Sequence, residues 1–538
     1  MVIARRRLAI SLVIAGSALA GALYAYVAGE DINWDWQNYH DYAGFALSEG
    51  RFDIDVMPGG FQSFLNPLIY LLPYALRHGL DAPWWGVALG ALHGLNLALI
   101  TWITRMMLGA QARPPVLVAA VLIAACGPMS LSEVGTSFAD ILTAIPILAG
   151  IGLILIDREQ DGRRLLLAGL LIGAATGLKL TNATFLIGAG VCLLLAARPL
   201  AAVLSFGAGS VAGVLATGGV WAFKMWRDFG SPLFPFYNTI FHSSEAPPVS
   251  IVDTRFMPQS LADALAYPFY WLVGLHPSSE WAFRDSRFAL VIVLLFATIA
   301  VGAWCRRELL QLRDRQFLIF FWVSYVLWML AFSIQRYLIA LELLSAPLIL
   351  LLITRLMEAP QLSRSFEGSA RPRAQHLVAV IIALAIALWS RPTDWTRRPW
   401  SDPYRPQLAA GLQTPATFLL LQKPLGHVVS RLPAGSRVYQ LSELVLPIVP
   451  GGVLDRRIRA GLADPLPGGI WALYFSKSSA DNPPRLEALE SYDLKIDPSR
   501  ACERIAGVDR IDIEACPVIS RAASASTAEL DRAGRASN

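Results

Sequence analysis

The sequence predicts a polytopic α-helical membrane protein of about eleven transmembrane helices, with a small α/β domain at its C-terminal end, outside the cytoplasm. Three observations carry this prediction. Of 538 residues, 55% are hydrophobic and only 16% are charged, whereas a soluble chain carries about a quarter charged. Apolar runs of the length that crosses a bilayer as a helix recur through the first 390 positions. Lysine and arginine then collect on one side of those runs, as cytoplasmic segments require.

The spans are expected at 8–28, 84–107, 115–131, 139–156, 164–178, 182–197, 199–222, 288–304, 316–334, 337–354 and 375–390. Arg5, Arg6 and Arg7 before the first run give it the start of a signal peptide, but the run is long for one and the topology works better if it stays. With the N-terminus inside, the cytoplasmic segments hold Arg105, Arg113, Arg158, Arg163, Arg198, Arg306, Arg355 and Arg364, among others. The short outer turns hold almost no basic residue except Lys179 and Arg336. An odd number of spans puts everything after Ser390 outside.

The expected organisation is therefore a transmembrane module over 1–390, with large outer loops at 29–83 and 223–287. A domain at 391–520 and a disordered tail at 521–538 follow. Within the first loop, Leu65–Leu76 is apolar-amphipathic and suits the membrane interface. In the last domain, R-V-Y-Q-L and I-W-A-L-Y-F-S read as short strands between Gly and Pro turns. The end of the chain, with S-R-A-A-S-A-S-T-A-E-L, has too few bulky residues to fold.

Cys126 and Cys192 fall in spans and Cys305 on the cytoplasmic side. Cys502 and Cys516 share the external domain, where an oxidising compartment would let them form a disulfide worth roughly 3 kcal/mol, or leave two free thiols. No Cys/His spacing suits zinc. No cofactor is identified, and a divalent metal is compatible with these residues without being indicated by them. No basic stripe with interleaved aromatics is present, so nucleic acid is not an expected partner.

The chemistry-bearing stretch runs from Glu30 to Pro67. It gathers Glu30, Asp31, Asp35, Asp41, Asp53 and Asp55 among Trp34, Trp36, Tyr39, His40 and Tyr42. Carboxylates interleaved with aromatics at the mouth of a span suit a polar, hydroxyl-rich ligand. A solvated loop with interfacial aromatics is the plainer reading. Lys179 in G-L-K-L-T-N and Arg336 in S-I-Q-R-Y-L sit in turns too tight to leave them as loop charges. A cation at such a boundary needs a partner or must snorkel. The partner is either a protein carboxylate, Glu133 or Asp140 in S-E-V-G-T-S-F-A-D, or a phosphate group.

A sugar carried on a lipid phosphate would need both surfaces: cations for the phosphate and a carboxylate to deprotonate the acceptor hydroxyl. The phosphate leaves as a stabilised anion, so one base suffices.

At this point the residues resemble those of a known superfamily, the C-type (GT-C) glycosyltransferases, in its bacterial polyprenyl-phosphate-sugar-dependent branch. The likeness is carried by D-W-Q-N-Y-H-D-Y-A-G-F-A-L-S-E-G-R-F, by G-L-K-L-T-N, by F-G-S-P-L-F-P-F-Y-N and by R-Y-L-I-A-L-E, across most of residues 1–360. The resemblance implies a membrane glycosyltransferase (EC 2.4 class) of the bacterial inner membrane, with its C-terminal domain in the periplasm. It implies a polyprenyl-phosphate-linked sugar as donor, an envelope lipid, glycan or protein as acceptor, and inversion at the anomeric carbon. Asp35 corresponds to the catalytic base; Lys179 and Arg336, with Tyr337, correspond to donor-phosphate contacts. Many relatives carry two adjacent acids, whereas here the adjacent pair is Glu30–Asp31, so the base lies between Asp31 and Asp35. Asp35 is preferred because N-Y-H-D-Y follows it at helical spacing, placing it at a helix start where a carboxylate is favoured. Trp34, Asn38, Tyr39, His40, Glu133, Asp140 and Tyr237 are candidates for the substrate pocket. A transporter or flippase, or a non-catalytic assembly protein for envelope polysaccharide, is the alternative function, although no repeated halves with broken helices are found.

Overall fold

The computed structural model describes residues 2–156, 161–359, 370–508 and 511–521. Arg158, Arg364 and the end of the chain from 522, expected to be disordered, lie outside the described residues. The chain forms two compact units, neither continuous in sequence: one from 1–29, 83–220 and 252–397, the other from 30–82, 221–251 and 398–538.

The first unit is helical. Helices stand at all the expected spans: Val2–Ala28, Trp84–Leu108, Pro114–Ala125, Ala139–Ile156, Gly162–Leu178, Ala183–Cys192, Pro199–Val214, Arg287–Cys305, Leu312–Ala331, Ile339–Glu358 and Ala370–Trp389. Among the described residues, 7 helices are long and apolar enough to cross a membrane. Pro114–Ala125 is apolar but shorter. The run expected at 115–131 breaks at Cys126–Gly127 because Pro128 cannot continue the hydrogen-bond ladder, and a separate turn, Pro128–Ser132, follows.

Every residue from Ile339 to Arg355 is buried, so this helix is the core of the unit. Val2–Ala28 and Trp84–Leu108 approach closely through small residues: a Cβ on Gly21 would collide with the Gly90 carbonyl oxygen, and one on Gly94 with that of Ser17. A buried charge network holds the centre. Arg287 donates from Nε (2.8 Å) and Nη2 (2.6 Å) to the two oxygens of Asp285. Glu342 accepts from the Ser130 N–H (2.8 Å), the Ser130 hydroxyl (2.7 Å) and the Met129 N–H (3.2 Å). Glu342 thereby ties the start of Pro128–Ser132 to the first turn of Ile339–Glu358.

The second unit is built on a mixed sheet. Its strands run in the order Arg437–Gln440, Thr417–Leu420, Ile470–Phe475, Ile513–Ser520, Leu494–Ile496, and Glu503–Ile505 also pairs with Ile513–Ser520. The first three are parallel and the remaining pairings antiparallel. The two expected strands are here as Arg437–Gln440 and Ile470–Phe475. Cys502 and Cys516 form a disulfide with Cα atoms 4.2 Å apart, one step beyond the Glu503–Ala515 pair in the ladder.

The sheet does not stand alone. Val56 lies along its edge, donating to the Val438 carbonyl and accepting from the Gln440 N–H, both at 2.9 Å. Asp55 accepts from the Val438 N–H at 3.0 Å while its carboxylate pairs with Arg51 at 2.7 Å. One apolar core joins Val56 and Met57 with Met225, Phe229 and Phe234 and with Leu419, Tyr439 and Ile458. Residues 30–82 thus pack as part of the C-terminal domain. The amphipathic piece expected at 65–76 is the helix Leu68–Gly79.

Candidate active site

In the helical unit, five of the predicted residues come together: Glu133, Asp140, Lys179, Arg336 and Tyr337. Asp140 lies in the first turn of Ala139–Ile156, where a carboxylate is favoured. Lys179 follows the last residue of Gly162–Leu178. Its Nζ stands 2.6 and 2.7 Å from the two Asp140 oxygens and 4.4 Å from the centre of the Tyr337 ring. Of the partners open to Lys179, the structure thus supplies the protein carboxylate.

Arg336 sits in the 3-10 turn Gln335–Leu338. That turn is pinned by the Gln335 N–H to the Ser278 carbonyl (2.7 Å), and the Ile334 carbonyl before it accepts from the Trp328 indole (2.8 Å). The Arg336 guanidinium lies over the rings of Phe138 (5.1 Å), Tyr337 (5.6 Å) and Trp395 (5.7 Å).

Glu133 is 0% exposed. One of its oxygens accepts from the Ile141 N–H at 3.2 Å; the other has no hydrogen-bond partner among the described residues. Burial pushes its carboxyl well above the usual carboxylate range and the neighbouring Asp140 charge adds to this, against the pull of Lys179 and Arg336. The two cations therefore stand beside Asp140, which Lys179 grips through both oxygens, and beside a buried Glu133 carboxyl that resists ionisation.

The other predicted residues belong to the second unit. Asn33 caps the helix that carries them, its side chain accepting from the Trp36 N–H at 2.8 Å. Asp35 lies in the first turn, 9% exposed. Asp31 is fully buried: its carboxylate accepts from the Asn33 backbone (3.2 Å) and side-chain amide (2.5 Å), and its carbonyl from Arg77 (2.8 Å). Glu30 pairs with Arg77 at 2.9 Å and accepts from the Tyr404 N–H at 2.7 Å. Burial raises the Glu30 carboxyl, partly offset by the Arg77 charge.

Asn38, Tyr39 and His40 are buried in packing. Asn38 donates to the Gly59 carbonyl at 3.0 Å, His40 stacks on Tyr70 at 4.4 Å and Tyr39 meets His40 edge-on at 4.5 Å. Trp34, by contrast, is 45% exposed. Tyr237 precedes the short helix Asn238–Phe241 with a left-handed backbone, φ 54°.

Sequence reasoning missed two arginines. Arg397 donates from Nη2 to the Ser132 and Val134 carbonyls, both at 2.9 Å, and so brackets Glu133. Arg77 lies over the Trp36 ring at 3.6 Å. Neither lies in the short turns where a lone basic residue stands out, and Arg397 is one of several arginines near W-T-R-R-P-W, so no local signal marked them.

The family model described as Glycosyltransferase family 87 matches residues 64–333. No curated protein matches the chain. Among solved structures, the crystal structure of ArnT from Cupriavidus metallidurans bound to undecaprenyl phosphate is similar, with a TM-score of 0.52 and 12% identity. The alignment covers 94% of this chain and 97% of that one. At that identity the likeness establishes a shared GT-C fold.

Proposed function

The chain belongs to glycosyltransferase family 87, and from that premise we propose that it moves a sugar from a polyprenyl-phosphate donor to an envelope lipid, glycan or protein acceptor. The reaction is proposed for the outer face of the bacterial inner membrane, with the sheet domain in the periplasm. The observation that carries the reading is the cluster of Lys179, Arg336 and Tyr337 against Asp140 and Glu133. Lys179 and Arg336 bring two cations to one place, and burial disfavours charge on the Glu133 carboxyl beside them, a setting that suits a phosphate. The undecaprenyl phosphate bound by the structurally similar ArnT supports the same donor class.

In the proposed reaction, the acceptor hydroxyl attacks the anomeric carbon from the face opposite the phosphate, and its proton passes to Asp35. The bond from the anomeric carbon to the phosphate oxygen breaks, polyprenyl phosphate leaves as an anion held by Lys179 and Arg336, and the configuration inverts. Asp31 is assigned a shaping role, in keeping with its bonds to Asn33 and its full burial. Asp35, in the first turn and slightly exposed, is the preferred base. Trp34, Asn38, Tyr39, His40 and Tyr237 are proposed to line or support the sugar and acceptor region.

Mass spectrometry of the lipid that co-purifies with the protein tests the donor class. A polyprenyl phosphate or its glycoside is the expected result. Bulk phospholipid alone, with no transfer from a polyprenyl-phosphate sugar, would remove the reading.

A further inference from the structure

We propose that Glu133 acts as a neutral carboxylic acid that donates a hydrogen bond to the phosphate held by Lys179 and Arg336. The inference rests on the reading of that cluster as the donor-phosphate site. It starts from an imbalance in the Glu133 carboxyl. A fully buried carboxylate ordinarily needs several hydrogen bonds or a dedicated cation. Glu133 has one bond, from the Ile141 N–H, and its second oxygen has no hydrogen-bond partner among the described residues.

The surrounding charges do not supply what is missing. Lys179 is committed to both oxygens of Asp140 at 2.6 and 2.7 Å. Arg336 lies over three aromatic rings and also interacts with Asp253. Arg397 is spent on the Ser132 and Val134 carbonyls flanking Glu133, and His93 Nδ1 accepts from the Gly135 N–H at 3.1 Å. The Asp140 charge opposes the ionisation of Glu133, as burial does.

A carboxyl in that setting keeps its proton. Its O–H is then a donor without an acceptor, beside two cations that attract an anion. A phosphate oxygen satisfies it, and an acid held neutral by its surroundings is a strong donor to such an oxygen. An ionised Glu133 would instead repel the phosphate, so the proton sets whether the site accepts its ligand.

Infrared difference spectroscopy tests this on the purified full-length protein, with farnesyl phosphate as one probe and inorganic phosphate as another. At neutral pH the wild type should show a protonated-carboxyl C=O band that disappears in Glu133→Gln. Adding farnesyl phosphate should move that band to lower frequency, and inorganic phosphate should move it in the same sense. Glu133→Gln keeps a neutral donor, so its affinity for farnesyl phosphate should stay within about threefold of wild type. Farnesyl phosphate that binds saturably while the carboxyl band stays unmoved would overturn the inference alone, and this measurement needs only the wild type. Failure of the wild type to bind either probe would instead overturn the phosphate reading on which the inference rests.

Discussion

Lys179 and Asp140 form a tight ion pair in which Nζ reaches both carboxylate oxygens, at 2.6 and 2.7 Å. The pair gives a partner to a lysine that stands at a helix C-terminal end in a tight turn between two apolar helices, and it makes the lysine both structural and a candidate ligand contact. Two consequences of one residue can be separated by experiment. Lys179→Met should destabilise the protein by about 3 kcal/mol, because it strands a buried carboxylate. Adding Asp140→Leu should recover most of that stability in thermal melts. Affinity for polyprenyl phosphate should not recover, since the cation is still missing. Recovery of affinity along with stability would reduce Lys179 to a structural role.

Arg336→Ala should weaken polyprenyl-phosphate binding by about 10–150-fold, the equivalent of roughly 1.5–3 kcal/mol for one charge-assisted contact. Folding should be less affected, because Phe138 and Trp395 beside it pack on each other, with ring centres 5.3 Å apart. Titration of the lipid into the purified variant provides the measurement. Unchanged affinity would return Arg336 to snorkelling at the membrane boundary.

His427 supplies a pH prediction for the second unit. Its Nδ1 lies 3.0 Å from the Gln37 carbonyl, and burial lowers its pKa to about 4 from 6.5. Below about pH 6.5 the unfolded chain binds a proton that the folded one refuses. Stability should therefore fall as pH drops from about 6.5 to about 4, by on the order of 3 kcal/mol from this residue, and level off beneath that. Thermal melts across this window should be flatter for His427→Gln than for wild type. Parallel slopes would show that the histidine protonates without cost.

Replacing both Cys502 and Cys516 by serine should loosen residues 494–520 and remove on the order of 3 kcal/mol from that region. Sugar transfer should persist, since no proposed site residue lies there. Hydrogen exchange confined to that segment would agree. Loss of transfer with an otherwise folded protein would give the bridge a functional role.

Much of this was legible in the sequence for definite reasons. Spans are long apolar runs, so the helical positions could be read directly, and R-V-Y-Q-L and I-W-A-L-Y-F-S, short runs between Gly and Pro turns, marked two strands. Lys179 and Arg336 stood out because each broke a charge asymmetry. Glu133 and Asp140 stood out because a cation there needs an anion. What could not be read was long-range packing. No local signal says that Val56 pairs with Val438 and Gln440, nearly four hundred residues later, or that residues 30–82 share a core with the C-terminal sheet domain. Nor could composition distinguish an aromatic in a pocket from one in a core. Tyr39 and His40 are buried against Tyr70, whereas Trp34 is largely exposed. Asp35 lies in the first turn of its helix, and only the Asn33 bond to the Trp36 N–H identifies Asn33 as the cap.

The central claim is that Asp35 is the base of a sugar transfer, and the most direct measurement is turnover of Asp35→Asn beside Asp31→Asn with a polyprenyl-phosphate-linked sugar. Asparagine keeps the shape and removes the proton acceptor. Transfer by Asp35→Asn should fall on the order of 10²–10⁴-fold while donor binding is retained, and Asp31→Asn should lose less. Near-normal transfer by Asp35→Asn, with Asp31→Asn inactive, would contradict the assignment of the base.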